Sequence, residues 1–185
     1  MKEQRENRRV RMTKQLIKNA LLELLEQQNL ISITVTAICE TADVHRSTFY
    51  KYYTDSTDLL KDIEQDFLNR IPTPPQELDQ QNQEQLLLAT TAFFDDIKEN
   101  IKAYRILFRE TAGNSFATTL VEYLCSAYIP VNEQNDEVTE HFLRLYIANG
   151  TVGMLREWID KDCPFDSRRI AEMMYFLSRK ITNAY

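Results

Sequence analysis

TVTAICETADVHRSTFYKYY, residues 34–53, decides the fold. Thr34 stands where a helix N-cap belongs, its hydroxyl able to accept from a first-turn amide. Ala37, Ile38 and Cys39 give that helix small and apolar packing groups. The helix must end near Thr41 or Ala42, because Asp43 sits where the chain turns and Asp tolerates the left-handed conformation better than most non-glycine residues. Val44 plugs the turn into the core. A third, short helix then covers roughly His45 to Tyr52, with Phe49 and Tyr53, four residues apart, as inward anchors. His45, Arg46, Ser47, Thr48, Lys51 and Tyr52 point largely outward. No acidic residue occurs from His45 to Tyr53. The hydroxyls, guanidinium, ammonium and imidazole are donors of the kind that phosphates and base edges need. The layout is that of a helix-turn-helix, whose second helix lies in the DNA major groove.

Charge is distributed to match. The net charge of -6 alone argues against a polyanionic partner, yet residues 1–53 carry nine Lys/Arg against six Asp/Glu, while the remainder carries 13 against 22. Six of the basic groups fall within residues 1–14 (Lys2, Arg5, Arg8, Arg9, Arg11 and Lys14). Basic charge is thus held where DNA could meet it, and an acidic body would repel it.

The rest of the chain reads as helices. With three Gly and five Pro in 185 residues, long helices are favoured over a turn-rich β fold, and 43% hydrophobic residues suffice for a sizeable core. A first helix is expected over about 7–28, with Leu16, Ile17, Ala20, Leu21, Leu24 and Leu25 as one apolar stripe. A fourth begins after Asp55, with Asp58 completing a capping-box variant and Leu59, Leu60, Ile63 and Phe67 buried. Pro72-Thr73-Pro74-Pro75 breaks the pattern. Further helices are expected over 83–99, 101–110, 115–129, about 137–160 and 166–182, with breaks at Gly113-Asn114 and over 130–135. The fold class is therefore all-α with about nine helices. Its divisions are a helix-turn-helix unit at 1–54, a connecting helix and Pro-rich linker at 55–75, and a dimerisation and effector domain at 76–185.

The stretch from Ile33 to Leu60 resembles the DNA-binding domain of the TetR family of bacterial transcriptional regulators. The resemblance rests on Thr34, Ile38-Cys39, Asp43-Val44, the run His45-Arg46-Ser47-Thr48-Phe49-Tyr50, Tyr52-Tyr53 and Leu59-Leu60. It implies phosphate contacts from Thr34, Thr36, His45, Tyr50 and Tyr52. It implies base-edge contacts from Arg46 and Ser47, with Thr48 and Lys51 as additions. Two positions depart from the family pattern: His45 replaces a Ser, and Ser56 replaces a Lys that grips a phosphate. The stretch Phe142–Ile159 resembles a C-terminal domain of TetR-like regulators of Firmicutes. That resemblance implies a last pair of helices packing across a two-fold axis, in a subgroup that includes activators and proteins responding to partner proteins.

The residues support a dimer on their own terms. Ala148, Gly150 and Gly153 let helix backbones approach closely, and each Gly costs a helix roughly 1 kcal/mol relative to Ala. Tyr146, Gly150, Met154, Trp158, Met173 and Leu177 are the expected interface, with an intramolecular core as the alternative. Phe94, Tyr104, Phe108 and Tyr123 are candidates to line an effector cavity, with plain core packing the competing reading.

Catalysis has little support. His45 and His141 lie in different regions, and no nucleophile elbow, phosphate loop or metal-ligand spacing occurs. No catalytic residue, metal or cofactor is expected. Cys39, Cys125 and Cys163 are odd in number and widely spaced, as reduced thiols in a cytoplasmic protein would be. No apolar run reaches the roughly 20 residues of a membrane span, and no signal-peptide pattern opens the chain. The expected function is that of a transcriptional regulator, a repressor binding a pseudo-palindromic operator in double-stranded DNA as a homodimer, controlled by a small-molecule or protein effector. The alternatives are an activator or co-regulator controlled by a partner protein, an adaptor that has lost strong DNA binding, and a small helical enzyme.

Overall fold

The computed structural model describes residues 2–73, 80–109, 116–128 and 135–182. Among them are nine α-helices and no strand: α1 (Lys2–Leu25), α2 (Val35–Thr41), α3 (Arg46–Phe49), α4 (Ser56–Leu68), α5 (Gln80–Glu99), α6 (Ile101–Phe108), α7 (Phe116–Tyr123), α8 (Glu137–Asp160) and α9 (Ser167–Thr182). The described residues through Phe67 form one compact unit, and those from Leu68 onward form a second. The side chains of Lys2 and Arg5, the Pro74-Pro75 and Gly113-Asn114 breaks and the loop over 130–134 lie outside the described residues.

In the first unit, α1 begins earlier and ends sooner than the expected 7–28. It stops at Leu25, where the amides of Gln27 and Gln28 both reach back to the Leu24 carbonyl. The early stop lets a short 3-10 turn at Leu30–Ser32 swing Leu30 and Ile33 into the core. Ile17, Leu21, Ile38, Phe49 and Leu59 are completely buried there, and Ile63 and Phe67 close the core from α4. Leu16, counted with the stripe, instead faces solvent. Helix α4 starts as a reciprocal cap: Asp55 Oδ1 accepts from the Thr57 and Asp58 amides at 2.8 and 2.9 Å, and Asp58 Oδ2 accepts from the Thr54 amide at 2.9 Å.

In the second unit, α8 supplies the central apolar face. Ile147, Ala148, Val152, Leu155, Trp158 and Ile159 are buried, together with Phe94 and Ile97 of α5, Tyr104, Ile106, Leu107 and Phe108 of α6, and Ile170, Ala171 and Met174 of α9. Asp136 caps α8, accepting from the Val138 and Thr139 amides. Helix α8 ends as a Schellman motif: Asp162 is left-handed (φ 58°), its amide donates to the Ile159 carbonyl at 3.1 Å, and the Cys163 amide donates to the Trp158 carbonyl at 2.8 Å. Arg105 donates to the Ile159 carbonyl at 2.9 Å and to Asp162 Oδ1 at 2.7 Å, placing a cation at the negative end of the helix. The single helix expected over 115–129 is divided, because α7 widens after Tyr123 into a π-helical turn at Leu124–Tyr128. Its expected ends, Ser115 and Ile129, lie outside the described residues.

Candidate nucleic-acid interface

The interface starts from a cap and a turn. Thr34 is extended (φ -90°, ψ 152°), and its hydroxyl oxygen accepts from the Ala37 amide at 3.1 Å. The hydroxyl proton stays available for a phosphate oxygen. Helix α2 ends at Thr41 with Ala42 as its C-cap, and the chain reverses at Asp43, whose φ is 51°. The Asp43 amide reaches the Glu40 carbonyl at 3.3 Å, and the Val44 amide reaches the Cys39 carbonyl at 3.0 Å. This is a Schellman turn with Asp where Gly is commonest.

The recognition segment is tighter than the sequence suggests. Regular helix covers only Arg46–Phe49, and the amides of Tyr52 and Tyr53 both turn in to the Phe49 carbonyl, at 2.9 and 3.0 Å. His45 occupies the N-cap position without a side-chain capping bond, so its imidazole stays clear of the helix amides. Phe49 and Tyr53 are buried, 5.7 Å apart between ring centres. His45, Arg46, Ser47, Tyr50 and Lys51 are exposed, as is Thr34; Thr36, Thr48 and Tyr52 are half-buried. Tyr50 stands edge-on to Phe49, 5.6 Å between ring centres, and is 59% exposed. All nine sequence-selected DNA-binding residues thus lie in the first unit, on α2, the recognition segment and their caps. Burial pushes the Cys39 thiol up, with the nearby Arg46 charge opposing the rise. Arg8, Arg9 and Arg11 are exposed on α1, and Ser56 opens α4 half-buried.

Behind this surface lies a polar cluster that the sequence reading did not find. Lys18, only 6% exposed, donates to Asp66 Oδ2 at 2.6 Å, lies 2.9 Å from Asp62 Oδ2, and reaches the Asp62 carbonyl at 3.4 Å. Lys14 donates to Asp62 Oδ2 at 3.3 Å, and the Tyr53 hydroxyl donates to the same oxygen at 2.7 Å. Burial works to raise the Asp62 carboxyl, but the hydrogen bonds from Lys18 and Tyr53 and the charges of both lysines hold it below the usual carboxylate range. Burial, then Asp62, pushes the Tyr53 phenol up, so it remains a donor. The signal was present as Lys14 and Lys18 four apart on one helix and Asp62 and Asp66 four apart on another.

The other expected sites lie in the second unit. Tyr146 is 68% exposed, and Gly150, Met173 and Leu177 are exposed with it, while Met154 is half-buried. Trp158 is instead 2% exposed: its ring packs on Phe94 and Phe165 of its own chain, and its Nε1 donates to the Phe165 carbonyl at 3.1 Å. The indole needed an apolar partner and an acceptor, and found both internally. Of the effector-cavity candidates, Phe94, Tyr104 and Phe108 are buried against Trp158, Phe93 and Phe116 respectively, and Tyr123 is half-buried. The Tyr104 hydroxyl donates to Asp96 at 3.2 Å, and burial followed by the Asp96 charge raises its phenol. Burial likewise pushes the Cys163 thiol up, away from nucleophilic character. No helix among the described residues is long and apolar enough to cross a membrane.

Comparison with known proteins follows the same division. Residues 84–180, more than half of the chain, match the family model of a transcriptional regulator C-terminal region of TetR type. Three solved structures share the fold over nearly the whole chain. A TetR transcriptional regulator from Streptococcus agalactiae matches with a TM-score of 0.68 and 18% identity, over 95% of this chain and 98% of that one. The dihydroxyacetone kinase operon activator DhaS matches with a TM-score of 0.62 and 21% identity, over 94% of this chain and 97% of that one. The fatty acid degradation regulator FadR from Bacillus halodurans matches with a TM-score of 0.59 and 17% identity, over 90% and 94%. No curated protein sequence matches significantly. With a helix-turn-helix in its first unit and the regulator signature across its second, the chain belongs to the TetR family of DNA-binding transcriptional regulators.

Proposed function

We propose that this regulator reads a pseudo-palindromic operator as a homodimer, one recognition segment per half-site, and represses by occupying promoter DNA. Residues 1–54 would read the DNA, 55–75 connect, and 76–185 dimerise and receive an effector. One observation carries the reading. The exposed surface of His45, Arg46, Ser47, Tyr50 and Lys51 holds no acid and is presented by a segment whose Phe49 and Tyr53 are buried. In this reading Thr34, Thr36, His45, Tyr50 and Tyr52 position the protein on phosphates, and Arg46 and Ser47 read base edges, assisted by Thr48 and Lys51.

Dimerisation is supported by a second apolar stripe on α8. Val138, Phe142 and Tyr146 are exposed at four-residue spacing, and Met173, Phe176 and Leu177 are exposed on α9. A Cβ added at Gly150 or Gly153 would meet nothing within 4 Å, so the chain's own packing does not ask for glycine there. Close approach of a second copy does.

Control by a partner protein is the second reading. It is favoured by the use of Phe94, Tyr104 and Phe108 in core packing, which leaves Tyr123 as the half-exposed member of the set. Either effector acts only through different affinity for the DNA-bound and free states. Nuclease footprinting on the DNA upstream of its own gene tests the proposal. Two protected half-sites about 10 base pairs apart, or a multiple of that, are expected. A lone half-site, or no protection, would contradict it.

A further inference from the structure

The recognition segment is held by few bonds of its own. Four residues of regular helix and a turn through one shared acceptor, the Phe49 carbonyl, cannot fix its attitude unaided. Phe49 anchors it in the apolar core, but apolar burial is non-directional. The directional tie is the Tyr53 hydroxyl on Asp62 Oδ2 at 2.7 Å, a charge-assisted bond to a fixed carboxylate. Asp62 is fixed because Lys18 and Lys14 of α1 hold the same oxygen at 2.9 and 3.3 Å. Lys18 in turn is locked by Asp66 at 2.6 Å, and Lys14 lies over the Tyr53 ring at 5.1 Å. One hydroxyl therefore ties the end of the recognition segment to α1 and α4 together.

We propose that Tyr53 is a positioning residue for operator recognition: through Asp62 its hydroxyl sets the attitude of Arg46, Ser47, Tyr50 and Lys51 toward the DNA, and thereby sequence discrimination. The proposal rests on the DNA-binding reading above. The hydroxyl is not needed to satisfy Asp62, which keeps both lysines when it is removed. It carries no charge, so its loss leaves the electrostatic attraction to phosphates untouched. Discrimination should therefore fall while salt dependence stays, and stability should drop only by what one part-buried hydrogen bond contributes.

The test compares the full-length wild type with Tyr53→Phe, Asp62→Asn and the double variant. Each is titrated by anisotropy against a promoter duplex and a scrambled duplex at several salt concentrations. Amide hydrogen exchange is measured on each protein without DNA. For Tyr53→Phe, the ratio of promoter to scrambled affinity should fall roughly three- to tenfold, the range that one hydrogen bond's net contribution spans. The salt slope should match the wild type, and the melting temperature should fall by only a few degrees. Amides of Tyr50, Tyr52 and Tyr53 should exchange faster, and those of the α1 core should not. The double variant should discriminate no worse than the poorer single one, because the two groups act as a unit. An unchanged ratio, additive losses, or an equal loss on both duplexes would each overturn the positioning role. A wild type that does not discriminate overturns the DNA reading itself and this inference with it, and the exchange data still report whether the hydroxyl holds the segment.

Discussion

The Val44 amide donates to the Cys39 carbonyl at 3.0 Å across Asp43, whose φ of 51° makes the turn between α2 and α3 left-handed. A β-branched side chain resists that conformation, while glycine enters it freely. Asp43→Val should destabilise the protein by about 1–2 kcal/mol, and Asp43→Gly should be neutral or mildly stabilising. Urea unfolding of the two variants checks this, and equal losses would show that the turn is not conformationally demanding.

The cluster behind the recognition segment sets an acid limit. The folded Asp62 carboxyl lies below its ordinary value, so its contribution is complete above the unfolded value of about 4 and is lost as pH falls through the folded one. Glu64 acts in the opposite sense, since burial raises its carboxyl and its destabilising charge is removed on acidification. The difference between wild type and Asp62→Asn isolates the first effect. The urea midpoint of the wild type should exceed that of the variant at neutral pH, with the gap closing below about pH 4. A gap independent of pH would assign Asp62 a purely steric role.

Lys18 is the buried cation on which both carboxylates of the cluster converge. Lys18→Met keeps the apolar stem but leaves Asp62 and Asp66 facing each other. Because those carboxylates are 32% and 45% exposed, solvent moderates the loss to about 1–3 kcal/mol. Chemical denaturation measures it, and a variant as stable as the wild type would mean that water replaces the ammonium without cost.

The outward side chains should separate by role. Tyr50→Ala should weaken binding to all duplexes alike, while Arg46→Ala should cost about 1–3 kcal/mol at one base position only. Neither should change the melting temperature, because both side chains are exposed. Binding-site selection with each variant distinguishes them, and unchanged base preference in Arg46→Ala would reassign Arg46 to a phosphate.

On the second unit, the paired substitution Tyr146→Glu and Met173→Glu places charge on an exposed apolar surface without touching the core. The proposed dimer predicts a dimeric wild type and a monomeric variant in sedimentation at the same concentration, with helicity retained. A dimeric variant would place the interface elsewhere.

What the sequence made legible was what local chemistry determines. The Thr34 cap, the Asp43 turn, the Asp55 cap and the inward Phe49 and Tyr53 each depend on residues within a few positions. The Lys18–Asp62–Tyr53 cluster escaped because it joins residues 44 and 9 positions apart, and nothing local pairs them. Trp158 went to the wrong side because α8 is apolar on two faces: Phe142 and Tyr146 face out, while Ile147 and Trp158 face in. Helical spacing alone does not say which face the chain itself will cover. The π-helical turn after Tyr123 had no sequence marker at all.

DNA recognition by the His45–Tyr52 surface is tested most directly by titrating the protein with promoter DNA over a range of salt concentrations. Phosphate neutralisation releases counterions, so log affinity should fall linearly with log salt, and the promoter duplex should be held about a thousandfold or more tighter than a scrambled one at physiological salt. Affinity that ignores salt, or that is equal for the two duplexes, would contradict sequence-specific recognition by this surface.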